Sequence, residues 1–180
     1  AVLWRATATL FLSAVLLLGA EVTVRAFAPQ EALGWGERPA LVPDPELGYT
    51  LRPSSSTQLR WLGYEYWVSA NELGFPGPLY TRGSNPGVFR IMVVGDAFSS
   101  AEGVDTYAAW PRLLEEKLNR RGVVTEVLNF SMTGWGPRQY QAVVERYMPI
   151  YQPDLLLLGF FVNEFFEVEY SNGERAAGVG

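Results

Sequence analysis

Histidine and cysteine are both absent from this chain of 180 residues. Without cysteine there is no disulfide staple and no thiolate to act as nucleophile or metal ligand. Without histidine, zinc and haem lose their usual ligands, and the commonest general base near neutral pH is missing. A carboxylate site for Ca²⁺ or Mg²⁺ would need a loop motif, and the sequence has none. The chain therefore reads as one with no cofactor and no metal. Charge is also scarce: charged residues make up 18%, and the 14 Lys and Arg are scattered under a net charge of −5. A nucleic-acid binder needs clustered basic side chains to replace phosphate counterions, so nucleic acid is excluded as a partner. Internal repeats are absent as well. What the chain has in surplus is apolar surface, at 48% hydrophobic residues, with six Trp and nine Tyr. That balance is globular with a lean toward membrane, and the length suits one ordinary domain plus an anchor. Some of the Trp and Tyr are expected at lipid headgroup level or in a protein contact.

The longest uncharged run covers residues 6–20 (ATATLFLSAVLLLGA), after Arg5 and before Glu21 and Arg25. As a helix it spans about 22 Å, short of the roughly 30 Å hydrocarbon core of a bilayer. Arg5 can snorkel, however, and Val22, Val24, Ala26 and Phe27 carry the apolar character on toward Pro29. Length and pattern predict a single-pass membrane anchor over residues 1–28. Two readings compete with it: a cleaved signal peptide, for which Ala26-Phe27-Ala28 resembles a cleavage site, and a buried core helix. A short N-terminal tail usually stays inside, which turns the bulk of the chain outward.

Residues 29–64 are rich in Pro, Gly and Ser, with Pro39, Pro43, Pro45, Pro53 and the run Ser54-Ser55-Ser56. This composition suggests an extended linker or a loop laid over another surface, and Trp35, Tyr49 and Trp61 favour packing on something. Residues 64–69 alternate and are aromatic, which suits a short strand, and residues 71–77 form a turn cluster. From Phe89 the pattern becomes regular. Residues 90–94 read as a strand and 108–121 as an amphipathic helix with Leu113, Leu114 and Leu118 on one face. Residues 125–130 read as a strand and 137–151 as a helix opened by proline, with Tyr140, Val143, Val144 and Tyr147 at helical spacing. Residues 154–162 (DLLLLGFFV) read as a strand buried on both faces. Alternating strands and helices imply a parallel α/β sheet in a domain over residues 65–180.

The strand at 90–94 runs into Gly95-Asp96-Ala97, a tight strand-to-turn junction where many α/β hydrolases carry a serine. The order of blocks around it resembles the SGNH (GDSL-like) hydrolase family, in its membrane-anchored bacterial branch. The likeness covers residues 65–167 and takes in Asn71-x-x-Gly74-Phe75 and Gly103-Val104-Asp105. It implies a flavodoxin-like three-layer α/β/α fold and, in active members, esterase, lipase or O-acetyl transfer chemistry. On that resemblance Gly95-Asp96-Ala97 stands in place of Gly-Asp-Ser, Gly134 supplies a backbone N–H to the oxyanion, and Asn163 a side-chain donor. The Asp-x-x-His block has no counterpart among these residues.

Ala97 cannot attack a carbonyl, and with no histidine nothing here deprotonates a nucleophile. Two donors, Gly134 and Asn163, remain as vestiges beside Asp96. Each also has a plainer explanation: tight turns for Gly95 and Gly134, a cap or loop bond for Asn163, bonds to its own turn for Asp96. Ser99 and Ser100 follow closely but point elsewhere on the turn or the next helix. Glu164, Glu167 and Glu169 read as a solvated face, and Trp110 and Trp135 as core or interface.

A flavodoxin-like sheet needs five strands, and three are legible, so the fold is expected to be incomplete within this stretch. Either residues beyond Gly180 or a partner protein should cover the apolar last strand. The sequence thus points to a catalytically inactive, membrane-bound accessory subunit of a larger membrane protein complex, with its globular part in the periplasm. Two other readings stand beside it: an envelope acyl esterase or O-acetyltransferase with a displaced serine, and a non-catalytic binder of acylated glycans.

Overall fold

A computed structural model describes residues 2–27, 39–61 and 64–161, in two compact units, Ala1–Gly36 and Glu37–Gly180. The first unit is one helix, α1 (Val2–Phe27). It outruns the uncharged stretch because the sequence past Gly19 keeps helix-forming residues and pairs its own charges. Arg25 Nε donates to Glu21 Oε1 at 2.7 Å, one turn apart. Thr7, Thr9 and Thr23 donate their hydroxyls to the carbonyls of Trp4, Arg5 and Gly19 at 2.7–2.9 Å, leaving few polar groups unmet in an apolar medium. Over Trp4–Phe27 the mean hydropathy is 1.8, and by length and composition the helix is able to cross a membrane; a signal sequence would meet the same measure.

The second unit opens with strands where the composition suggests a linker. β1 (Leu41–Asp44) and β2 (Gly48–Leu51) pair antiparallel, Leu41 opposite Leu51. Asp44 Oδ1 closes their turn by accepting from the Glu46 and Leu47 amides at 3.0 and 2.9 Å. β3 (Ser56–Trp61) and β4 (Tyr64–Ser69) form a second antiparallel pair. The extended-linker expectation for residues 29–64 is corrected from Leu41 onward. Leu47, Leu51 and Leu59 are buried in the same cluster as Phe75, Met92 and Leu128, and that long-range burial outweighs the local turn chemistry. The turn that follows is shaped for this contact. Asn71 Oδ1 accepts from the Leu73 and Phe75 amides, and Gly74 sits at φ +81°, where a Cβ would lie 2.4 Å from the Leu51 carbonyl oxygen.

The main sheet holds β5 (Phe89–Gly95), β6 (Thr125–Asn129) and β7 (Leu155–Gly159), all parallel, in the order β6-β5-β7. Between them run α2 (Ala97–Ser100), α3 (Trp110–Arg120) and α4 (Pro137–Tyr151). Alternation along β5 divides two clusters. Ile91 and Val93 pack with Val127, Leu114 and Leu118 on the α3 face, while Met92 and Val94 join Leu128, Phe130, Val143 and Tyr147 on the α4 face. This is the three-layer mixed α/β arrangement with a parallel sheet.

Two expectations change. Leu113 is exposed, because Pro111, Leu114, Glu115 and Leu118 share the inward stripe of α3. Glu115 can be buried there because it accepts from the Val127 amide at 2.8 Å, from the Tyr80 hydroxyl and from Arg112. β7, expected to be buried on both faces, is instead an edge strand: Leu155 and Leu156 are exposed and Leu158 is 54% exposed. Helices α3 and α4 cover β5 and β6, and among the described residues nothing pairs with the outer edge of β7.

Candidate functional site

The site expected from the sequence lies at the C-terminal ends of the parallel strands, the place where open α/β sheets bind ligands. β5 ends at Gly95, and Asp96 turns the chain into α2. The Asp96 carboxylate caps that helix, accepting from the Phe98 amide at 3.0 Å. Burial pushes its pKa up, against the favourable amide contact. Ala97 is the first residue of α2 and half-buried, so its methyl group occupies the elbow between strand and helix. Ala101, in the left-handed region at φ +73°, ends the helix after one turn.

Gly134 lies in the loop that follows β6. The Trp135 amide donates to the Met132 carbonyl at 3.2 Å, closing a turn whose third residue, Gly134, is at φ +79°. A side chain there would be strained, which explains the glycine without any ligand. The same turn is stitched to the Ala97 elbow. The Met132 amide donates to the Gly95 carbonyl at 3.1 Å, Asn129 Nδ2 to the Ser99 carbonyl at 2.7 Å, and the Ser100 and Thr133 hydroxyls meet at 3.0 Å. Asp96, Ala97 and Gly134 are thus brought together by their loops. Asn163, Glu164, Glu167 and Glu169 lie outside the described residues.

The nearby hydroxyls are structural. Ser99 is 1% exposed and wedged between two strands. A Cβ added to Gly95 would lie 2.7 Å from Ser99 Oγ, and one added to Gly159 would lie 2.4 Å from it. Gly95 and Gly159 are register partners, so the two glycines form a slot that this serine fills. Ser100 is committed to Thr133 and, at 3.4 Å, to the Ala97 carbonyl. Neither hydroxyl bonds a carboxylate or an amine among the described residues, so neither is set up as a nucleophile.

Two features of the site had no local signal in the sequence. Asn129 Oδ1, Ser131 Oγ and Trp135 Nε1 are buried without hydrogen-bond partners, and all three belong to the loop after β6. Asn129 also borders a small cavity with Pro76, Thr106 and Val127, away from Ala97. An orphaned hydroxyl costs about 1–3 kcal/mol, so Ser131→Ala is expected to stabilise the chain by about 1 kcal/mol and raise Tm by about 2–4 °C. A fall in Tm on thermal unfolding would mean that the hydroxyl is in fact satisfied. The second feature is the support of the loop beyond α2. Asp105 Oδ1 accepts from the Trp67 amide at 2.6 Å, and Thr106 Oγ1 accepts from the Ser69 amide at 2.9 Å, so side chains from this loop cap the edge of β4.

Among the described residues no group of three or more carboxylates, histidines or cysteines could hold a metal ion. No protein-family model matches the chain, and no curated protein does. Solved structures similar to it include that of TesA, at 28% identity and a TM-score of 0.41, over 44% of each chain. Another is the psychrotrophic esterase EstA from Pseudoalteromonas sp., inhibited by monoethylphosphonate, at 24% identity and a TM-score of 0.36 over 43% of each chain. The chain spans less than half the length of either protein.

Proposed function

We propose that this chain is a membrane-anchored, catalytically silent SGNH hydrolase-like protein that serves as a structural or accessory subunit of a larger membrane protein complex. The observation that carries the reading is Ala97, standing on the Asp96-capped elbow at the end of the central strand. Acyl transfer needs an atom there with a lone pair to attack and a base to deprotonate it. A methyl group supplies neither, while the scaffold around it is kept intact by the bonds between the Gly95–Ser100 and Asn129–Trp135 loops. Helix α1 supports the anchor, and the short tail before it supports a periplasmic globular part, in a bacterial inner membrane. Burial of Ser99 and the engagement of Ser100 weigh against a displaced nucleophile.

Gentle-detergent purification from the native membrane, with mass spectrometry of what co-migrates, tests the subunit role. A stoichiometric partner set is the expected outcome, and a monodisperse chain migrating alone would sink it. The silent-site reading has its own measurement. The 180-residue chain and its Ala97→Ser variant are both expected to leave p-nitrophenyl acetate at the background rate, the first for want of a nucleophile and the second for want of a base. Saturable hydrolysis by the unaltered chain that disappears in Ser100→Ala would establish an esterase instead.

A further inference from the structure

The loops beside Ala97 carry an exposed apolar face that the silent site does not use. Phe98 immediately follows the elbow and is 66% exposed. Its ring rests on that of Phe161, centroids 4.8 Å apart, which joins the end of β5 to the end of β7. Phe160 beside it, with Val104 and Tyr107 from the loop after α2, is also exposed, Tyr107 at 57%. The rings at 98 and 161 cover part of each other and still leave much of their surface to water. Apolar surface of this kind, gathered on loops, marks a contact more often than a fold requirement. Large rigid side chains with few rotatable bonds are also the usual anchors of such contacts.

The charges around the face have one sign. Residues 91–111 contain Asp96, Glu102 and Asp105 and no Lys or Arg. Asp96 is buried, whereas Glu102 and Asp105 are exposed. The next cation in the chain, Arg112, is engaged by Glu115 and Glu116. An anionic bilayer surface would be repelled by this edge. A polypeptide with an apolar side chain flanked by Lys or Arg would complement both the centre and the rim.

Resting on the accessory-subunit reading, we propose that the face formed by Phe98, Val104, Tyr107, Phe160 and Phe161, edged by Glu102 and Asp105, docks a polypeptide segment whose apolar side chain is flanked by basic residues. It identifies which surface of this chain makes the subunit contact and what chemistry the partner brings.

The test is site-specific photocrosslinking in the native membrane with the full chain, placing p-benzoylphenylalanine at position 98, at 107, or at the exposed position 141 on α4. Helix α4 packs on the other face of the sheet from α3, so position 141 serves as the control. The expected result is a polypeptide adduct from 98 and 107 and none from 141, with Lys or Arg adjacent to the attached residue in the partner peptide. Glu102→Lys, an exposed change, should lower the yield at position 107 at least about tenfold, and raised salt should lower it as well. Adducts from 141 alone would overturn the docking face and leave the subunit role standing. Lipid adducts from 98 and 107, or polypeptide adducts insensitive to Glu102→Lys, would likewise overturn it. Absence of adducts at all three positions, with the chain migrating alone, would overturn both.

Discussion

Replacing Arg90 with alanine is expected to destabilise the globular unit by about 3–5 kcal/mol, the cost of breaking a buried ion pair from one side. Arg90 is 2% exposed at the start of the central strand, with Glu126 of β6 as its partner. Its Nε donates to Glu126 Oε2 at 2.9 Å, and its remaining nitrogens reach the carbonyls of Gly83 and Tyr151, the latter at 2.7 Å. Its backbone amide is taken by Asp154 Oδ2 at 2.7 Å. One residue therefore joins the loop before β5, the strand β6, the end of α4 and the start of β7. Removing the guanidinium leaves a carboxylate and two carbonyls short of a donor in a dry setting. At roughly 2–4 °C per kcal/mol, thermal unfolding of the purified full chain followed by tryptophan fluorescence should fall by about 6–20 °C. Arg90→Lys should recover only part of this, because an ammonium cannot present the same planar fork to three acceptors. A loss under about 1 kcal/mol for Arg90→Ala would show that water reaches the pair and that the network is dispensable.

The second large effect concerns the slot beside Ala97. Gly159→Ala should cost about 2–3 kcal/mol, the usual penalty for overpacking a close-packed site, since the new Cβ would come within 2.4 Å of Ser99 Oγ. Ser99→Ala should rescue it. With the hydroxyl gone, the nearest remaining contact to that Cβ is Ser99 Cβ at 3.6 Å, an ordinary separation. Gly95→Ala should cost as much or more, and Ser99→Ala should not rescue it fully. There the Cβ also meets the Gly159 carbonyl oxygen at 2.9 Å, and that atom is backbone in the neighbouring strand. A double-mutant cycle on thermal unfolding separates the cases: coupling of roughly 1–3 kcal/mol is expected for the 99/159 pair and less for 99/95. Additive behaviour at 99/159 would mean that Ser99 does not sit between the strands. The slot would then be open to a ligand, which would revive the binding reading of the site.

These two networks mark opposite ends of the sheet, and neither has a local signature. The apolar run at Leu155–Gly159 announces a strand, but the run alone reads as buried on both faces. It lies at an edge because α3 and α4 cross over β5 and β6. Leu113 belongs to an apolar set by composition and faces outward, while Glu115 faces inward because three donors meet it there. The Pro- and Ser-rich stretch before Tyr64 lacks long periodicity, so its strands are invisible until Leu47, Leu51 and Leu59 find Phe75 and Leu128. Each is a contact between residues distant in sequence, and local patterns carry no information about such pairings.

The sequence by itself determined the parallel α/β alternation from Phe89 onward, the membrane-compatible length of the first helix, and the methyl group at position 97. Periodicity of apolar residues, turn glycines and the identity of a single side chain are local properties. Only the tertiary structure decided that Ser99 fills the crevice between Gly95 and Gly159, and that Arg90 ties the start of the sheet together. It also decided that Phe98 and Phe161 meet across the strand ends. Those facts depend on strand register and crossover, and free energy selects these when the whole core closes at once.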